Sequence, residues 1–66
     1  MAYRIVASTS AGERPAGGAY EKALAIRLAD QLARGDRQGL TTYRVVDWRE
    51  KAIYVVANDG KPGREI

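Results

Sequence analysis

Strand-forming positions are concentrated between residues 41 and 57, TTYRVVDWREKAIYVVA. Two runs rich in Val, Ile, Tyr and Thr, 41–48 and 52–57, flank the charged stretch Arg49-Glu50-Lys51. Branched and aromatic side chains suit a pleated surface and the charged stretch suits a turn, so the segment reads as a β-hairpin. Side chains alternate along a strand, and the parity of the turn therefore assigns the faces. An odd turn puts Tyr43, Val45, Ile53 and Val55 on one face, and Arg44, Val46, Trp48, Tyr54 and Val56 on the other. An even turn mixes these sets and brings Ile53 beside Arg44 and Lys51. The odd turn is the expected one, because it leaves one face free of basic groups. In neither register is the second face purely polar.

The remaining pattern supplies one more strand and one helix. Residues 2–8 alternate, with Tyr3, Ile5 and Ala7 pointing one way and Arg4, Val6 and Ser8 the other. The first set is expected beneath the helix and the second beside Arg44 and Trp48. Residues 9–18, TSAGERPAGG, carry the Ser, Gly and Pro of a loop. Residues 19–34 are rich in good helix formers, and Tyr20, Leu24, Leu28 and Leu32 recur every four positions as an apolar stripe widened by Ala25 and Ala29. Ile26 falls off this stripe and is expected to face solvent. Glu21 and Arg34 suit the two ends of the helix dipole, and Gly35 suits its stop. Residues 35–40 form a second loop.

These elements predict an α+β fold of order β-α-β-β, one helix packed on a three-stranded, mainly antiparallel sheet. The strand at 2–8 is expected beside 52–57 in a wholly antiparallel sheet, or beside 41–48 as a parallel pair. Residues 1–57 make one domain, and residues 58–66, NDGKPGREI, with turn signals and little else, read as a flexible C-terminal tail.

Size and composition narrow the function. A chain of 66 residues buries only about 60% of its unfolded surface. There is no Cys and no His, which removes disulfides, thiolate chemistry, the commonest metal ligand and the usual general base. Association with a second copy is the remaining way to stabilise so small a fold. The net charge of +3 comes from 11 basic and 8 acidic residues with no run of one sign, a weak electrostatic signal for nucleic acid. No apolar stretch approaches a membrane span or a signal-peptide core, so a cytoplasmic protein without membrane contact is expected.

Candidate chemistry is sparse. Asp47, beside Trp48, is the acid best placed for partial shielding, and its expected role is to cap the turn or pair with Arg49 or Lys51. Ser8, Thr9 and Ser10 have no base in view, and the other acids lack metal-ligand spacing. No catalytic residue, metal or cofactor is assigned, and the chain is not expected to be an enzyme. Arg14 with the backbone amides of Gly17 and Gly18 forms a possible anion site at the helix start, without a phosphate-loop or dinucleotide fingerprint. The order strand, helix, strand, strand with a Trp in the second strand resembles dodecins, small flavin-binding proteins. Trp48 at the end of its strand and the short third strand depart from their pattern, and the chain is not assigned to them.

The informative surface is the second sheet face: Arg4, Val6, Arg44, Val46, Trp48, Tyr54 and Val56. The expected function is a non-catalytic interaction module that self-associates, as a dimer, or binds a protein partner through this face. The alternative is a nucleic-acid-binding accessory protein using the same Arg and aromatic side chains for phosphate and base contacts.

Overall fold

The computed structural model describes residues 2–37 and 39–66. Met1, expected at the start of the domain, and Gln38, expected in a loop, lie outside them. The elements are β1 (Tyr3–Thr9), β2 (Gly12–Ala19), α1 (Lys22–Gly35), β3 (Thr42–Val46), β4 (Ala52–Ala57) and β5 (Arg64–Glu65). They form an α+β fold in which the single helix crosses one face of a five-stranded sheet of order β2-β1-β3-β4-β5. Every neighbouring pair is antiparallel.

The sheet gains two strands over the three expected. Residues 12–18, read as part of a loop, and Ala19, read as the start of the helix, turn back along β1 from Thr9↔Gly12 to Tyr3↔Ala19. Thr9 builds the tight turn: its hydroxyl accepts the Ala11 N–H (3.1 Å) and donates to the Gly12 carbonyl (3.3 Å). Pro15 is compatible with β2 because this strand is an edge, where a missing N–H need not break a ladder. The added hairpin reverses the chain before the helix. It thereby sets β1 beside β3, the second of the two expected neighbours, but in the antiparallel rather than the parallel sense, and β4 is not a neighbour of β1.

The C-terminal segment also differs from the expected tail. Asn58 ties it to the start of β3: its N–H donates to the Thr41 carbonyl and its Oδ1 accepts the Thr41 N–H (2.9 Å). β5 then pairs with Tyr54 and Val55, and Lys22 meets Glu65 at 3.4 Å. Gly63 lies so close over Tyr54 that a Cβ there would overlap the ring and its hydroxyl.

The hairpin of β3 and β4 shows how one residue reassigns a face. The Val46–Ala52 pair closes over residues 47–51, an odd turn as expected. Immediately afterwards the register shifts, leaving Ile53 as an extra residue, and Val45 pairs with Tyr54, Arg44 with Val55 and Tyr43 with Val56. A bulge of one residue exchanges the faces of everything beyond it. Tyr54 and Val56 therefore lie under the helix, and Val55 faces outward beside Arg44.

The core is built from Ile5, Ala7, Tyr43, Val45, Tyr54 and Val56 of the sheet against Ala25, Ala29 and Ala33 of the helix. The helix is rotated from the expected position: Leu28 and Leu32 flank the alanine stripe on one side, partly buried, and Ile26 packs against the core rather than facing solvent. Tyr20 and Leu24, expected in the stripe, are exposed. Alanines at four-residue spacing admit the sheet's tyrosine rings, which a row of leucines would exclude.

The rotation makes a test by urea denaturation. Ile26→Ala should destabilise by about 1–3 kcal/mol, Leu24→Ala by about 0.5 kcal/mol or less, and Ala29→Leu by about 1–3 kcal/mol through overpacking. A larger loss from Leu24→Ala than from Ile26→Ala would contradict the helix orientation.

Candidate functional site

Pairing across the strands fixes which side chains share the open face. Arg4, Val6 and Ser8 of β1 lie opposite Val46, Arg44 and Thr42 of β3. Pro15 and Glu13 of β2 lie opposite Val6 and Ser8, and Ala52 and Val55 of β4 lie opposite Val46 and Arg44. A shallow depression of about 540 Å³ lies across this face, lined by Arg4, Val6, Pro15, Arg44, Val46 and Ala52 among others. Two of its three arginines are paired, Arg4 with Glu50 of the β3–β4 turn and Arg44 with Glu13 of β2, and Arg14 also lines it. Both pairs are solvent-exposed and add little to stability, but they place carboxylates and guanidinium groups alternately around an apolar centre.

Four of the seven residues expected on this face are therefore brought together: Arg4, Val6, Arg44 and Val46. Tyr54 and Val56 are not, because the bulge at Ile53 turns them beneath the helix. Trp48 is not either, because β3 ends at Val46 and the indole belongs to the turn. It is 65% exposed and meets Tyr3 edge-to-face, with ring centroids 5.9 Å apart. Asp47 caps this turn as expected, its Oδ1 accepting the N–H groups of Arg49 (2.8 Å) and Lys51 (2.9 Å).

The expected anion site does not assemble. Gly17 and Gly18 are ladder residues opposite Ile5 and Arg4, not free loop amides. Gly17 lies under Leu28 at a φ of +152°, and a Cβ there would sit 3.2 Å from Leu28 Cδ2. Because β2 and α1 run in opposite directions, Arg14 falls near the other end of the helix, beside Gly35, Asp36 and Arg37. Among the described residues no group of three or more His, Cys, Asp or Glu side chains is placed to hold a metal ion. No helix among them is long and apolar enough to cross a membrane.

The face includes residues that sequence reasoning missed. Glu13 and Pro15 were read as loop, and Glu50 as a generic turn charge. No local pattern marks them, since their roles come from pairing to β1 and from an ion pair spanning 46 positions. Equally unannounced are Asp30 of the helix and Asp36 just beyond its end. Asp30 accepts the Tyr54 hydroxyl at 2.7 Å and Asp36 accepts that of Tyr43 at 2.8 Å. Burial, and then the hydrogen-bonded aspartate, push both phenols up, Tyr54 to about 12.

No known protein family matches the chain, and no curated protein or solved structure is significantly similar to it. The fold and the surface define it only as a single-helix α+β protein with one open sheet face that carries both signs of charge.

The raised phenols give a pH test with a definite sign. A folded-state pKa above the unfolded value, about 10 for Tyr, means that the stabilisation is complete below pH 10 and disappears as pH rises through about 12. Chemical denaturation should show this loss in the native chain, and the Tyr54→Phe variant should lose correspondingly less over the same interval. At neutral pH, Tyr54→Phe should itself destabilise by about 1.5–3 kcal/mol, the range for a hydrogen bond to a charged group. An alkaline profile identical in both proteins would remove Tyr54 as its source.

Proposed function

We propose that this chain is a small, non-catalytic interaction module that self-associates through the sheet face opposite the helix. The observation carrying this reading is the open face itself: Val6, Pro15 and Ala52 beside the already buried Val46, with the Arg4–Glu50 and Arg44–Glu13 pairs around them. A surface that alternates both signs of charge around an apolar centre complements itself. A two-fold-related copy can answer each guanidinium with a carboxylate while the apolar centres meet. A standard interface takes roughly 800 Å² from each partner, about a sixth of the 4661 Å² that the chain exposes.

The face is also favoured over the sheet edges. β2 carries Pro15 and a register irregularity, and β5 is two charged residues long. Short, charged or proline-bearing edges disfavour strand addition. Nucleic acid is a weaker occupant of this face, since Arg4 and Arg44 are each held by a carboxylate and Trp48 stands apart. A cytoplasmic location belongs to this proposal.

Sedimentation equilibrium should give a dimer or larger species at micromolar concentration, against the 7.2 kDa of one chain. Val6→Lys should weaken association about tenfold or more if Val6 is near the interface centre, with the circular dichroism spectrum unchanged. Arg44→Glu should also weaken it, and adding Glu13→Arg to that variant should restore part of the loss. A monomer across the whole concentration range would reject the reading, and so would a Val6→Lys protein that associates like the parent.

A further inference from the structure

Trp48 has no place in the proposed self-association surface, and its surroundings point elsewhere. The turn that carries it is closely tied. The Asp47 N–H donates to the Lys51 carbonyl (2.9 Å), and the Glu50 N–H donates to the Asp47 carbonyl (3.0 Å). Asp47 Oδ1 takes two further N–H groups, and Glu50 holds a φ of +62°, a left-handed conformation uncommon for a residue with a Cβ. The backbone beneath the indole is thus organised before any partner arrives, which lowers the ordering cost of binding. Tyr3 touches the ring at an interplanar angle of 77°. An edge-to-face contact occupies at most one face of the indole, and with Trp48 65% exposed a face is left open to stacking.

The charges around the ring are unequal in availability. Asp47 is taken up by backbone N–H groups and Glu50 by Arg4. Arg49 and Lys51, on either side of Glu50, are exposed and form no ion pair among the described residues. Tyr20, also exposed, follows Ala19, the residue paired with Tyr3, and so brings a second ring to this end of the sheet.

We propose that the β3–β4 turn binds single-stranded nucleic acid, with Trp48 stacking on a base and Arg49 and Lys51 contacting the adjoining phosphates. An open aromatic face flanked by uncommitted cations is the combination that unpaired bases and their backbone require. Duplex nucleic acid keeps its bases stacked away from such a ring. A bilayer surface is disfavoured, because the carboxylates of Asp47 and Glu50 would have to enter it with the indole. A protein partner fits less well, since apart from Tyr3 the turn gives the ring only charged chain neighbours, Asp47, Arg49, Glu50 and Lys51.

The sole tryptophan makes the test direct. Titration of the full chain with a short oligo(dT) or oligo(U) should produce a saturable change in tryptophan fluorescence. Two phosphate contacts predict that log affinity falls with log salt concentration at a slope of about −1.4. Followed by anisotropy of a labelled oligonucleotide, Trp48→Ala should weaken binding about tenfold or more, and Trp48→Phe, which keeps a ring, should weaken it less. Arg49→Ala and Lys51→Ala should each reduce the slope by roughly half. Circular dichroism of each variant should match the parent. The proposal is overturned by an absent fluorescence response, by equal binding of a duplex of the same length, or by undiminished binding in Trp48→Ala. A response to phosphatidylserine vesicles without one to oligonucleotide would reject it in favour of a membrane surface.

Discussion

The fold turns on Tyr54, a large ring that rises from the middle of the sheet and delivers its hydroxyl to Asp30 of the helix. Three otherwise unrelated features meet there. The helix faces the sheet with Ala25, Ala29 and Ala33, leaving room for the ring. The extra residue at Ile53 turns Tyr54 inward, and without that shift the ring would stand on the open face with its hydroxyl far from Asp30. Gly63 permits the C-terminal segment to cross directly over the ring, where any side chain would collide. Tyr43 repeats the arrangement with Asp36, so the sheet is joined to the helix by two buried rings with hydrogen-bonded tips rather than by a leucine ridge.

Concentrating the large groups beneath the helix determines what is left outside. One helix of fourteen residues covers one face of the sheet, and no other element is present among the described residues to cover the second. That face is not fully polar, and its central residue Val46 is already 93% shielded by neighbouring side chains, at 7% exposure. Two of its guanidinium groups, Arg4 and Arg44, are neutralised within the same surface, which makes it suited to a complementary, mixed-charge partner more than to a polyanion. The fold thus separates two surface chemistries that the linear sequence combines: paired charges on valine at the sheet face, and an open ring with unpaired cations at the turn.

How far these features are legible in the sequence depends on what stabilises each. β1, the helix and the hairpin announce themselves, because Val, Ile, Tyr, Ala and Leu carry their own periodic signals. The face shared by Arg4, Val6, Arg44 and Val46 follows from that alternation. β2 does not announce itself: GERPAGGA has little strand propensity, and its order comes from backbone pairing to β1. The helix orientation is obscured because leucines outrank alanines in any hydrophobic pattern, although here the close approach of the tyrosines selects the alanines. The turn parity is legible, but a bulge has no sequence signal strong enough to reveal that Tyr54 and Val56 change sides. Trp48 leaves the face for a similar reason, since strand propensity continues past Val46 whereas the hydrogen bonds of Asp47 end the strand.

The two proposed surfaces are joined by a single ion pair. Arg4 lies on the sheet face and Glu50 in the turn beside Trp48, and each neutralises the other in the isolated chain. If a second copy draws Arg4 onto its own carboxylate, Glu50 is left exposed next to the ring, with its negative charge close to where a phosphate would lie. Self-association then opposes nucleic-acid binding. Because equilibrium coupling is reciprocal, nucleic acid opposes self-association by the same factor. If Glu50 instead moves with Arg4 into the interface, the penalty near the ring is smaller and the two events are nearly independent. The sign of the coupling therefore rests on the partner chosen by Arg4, a side chain outside the stacking contact itself.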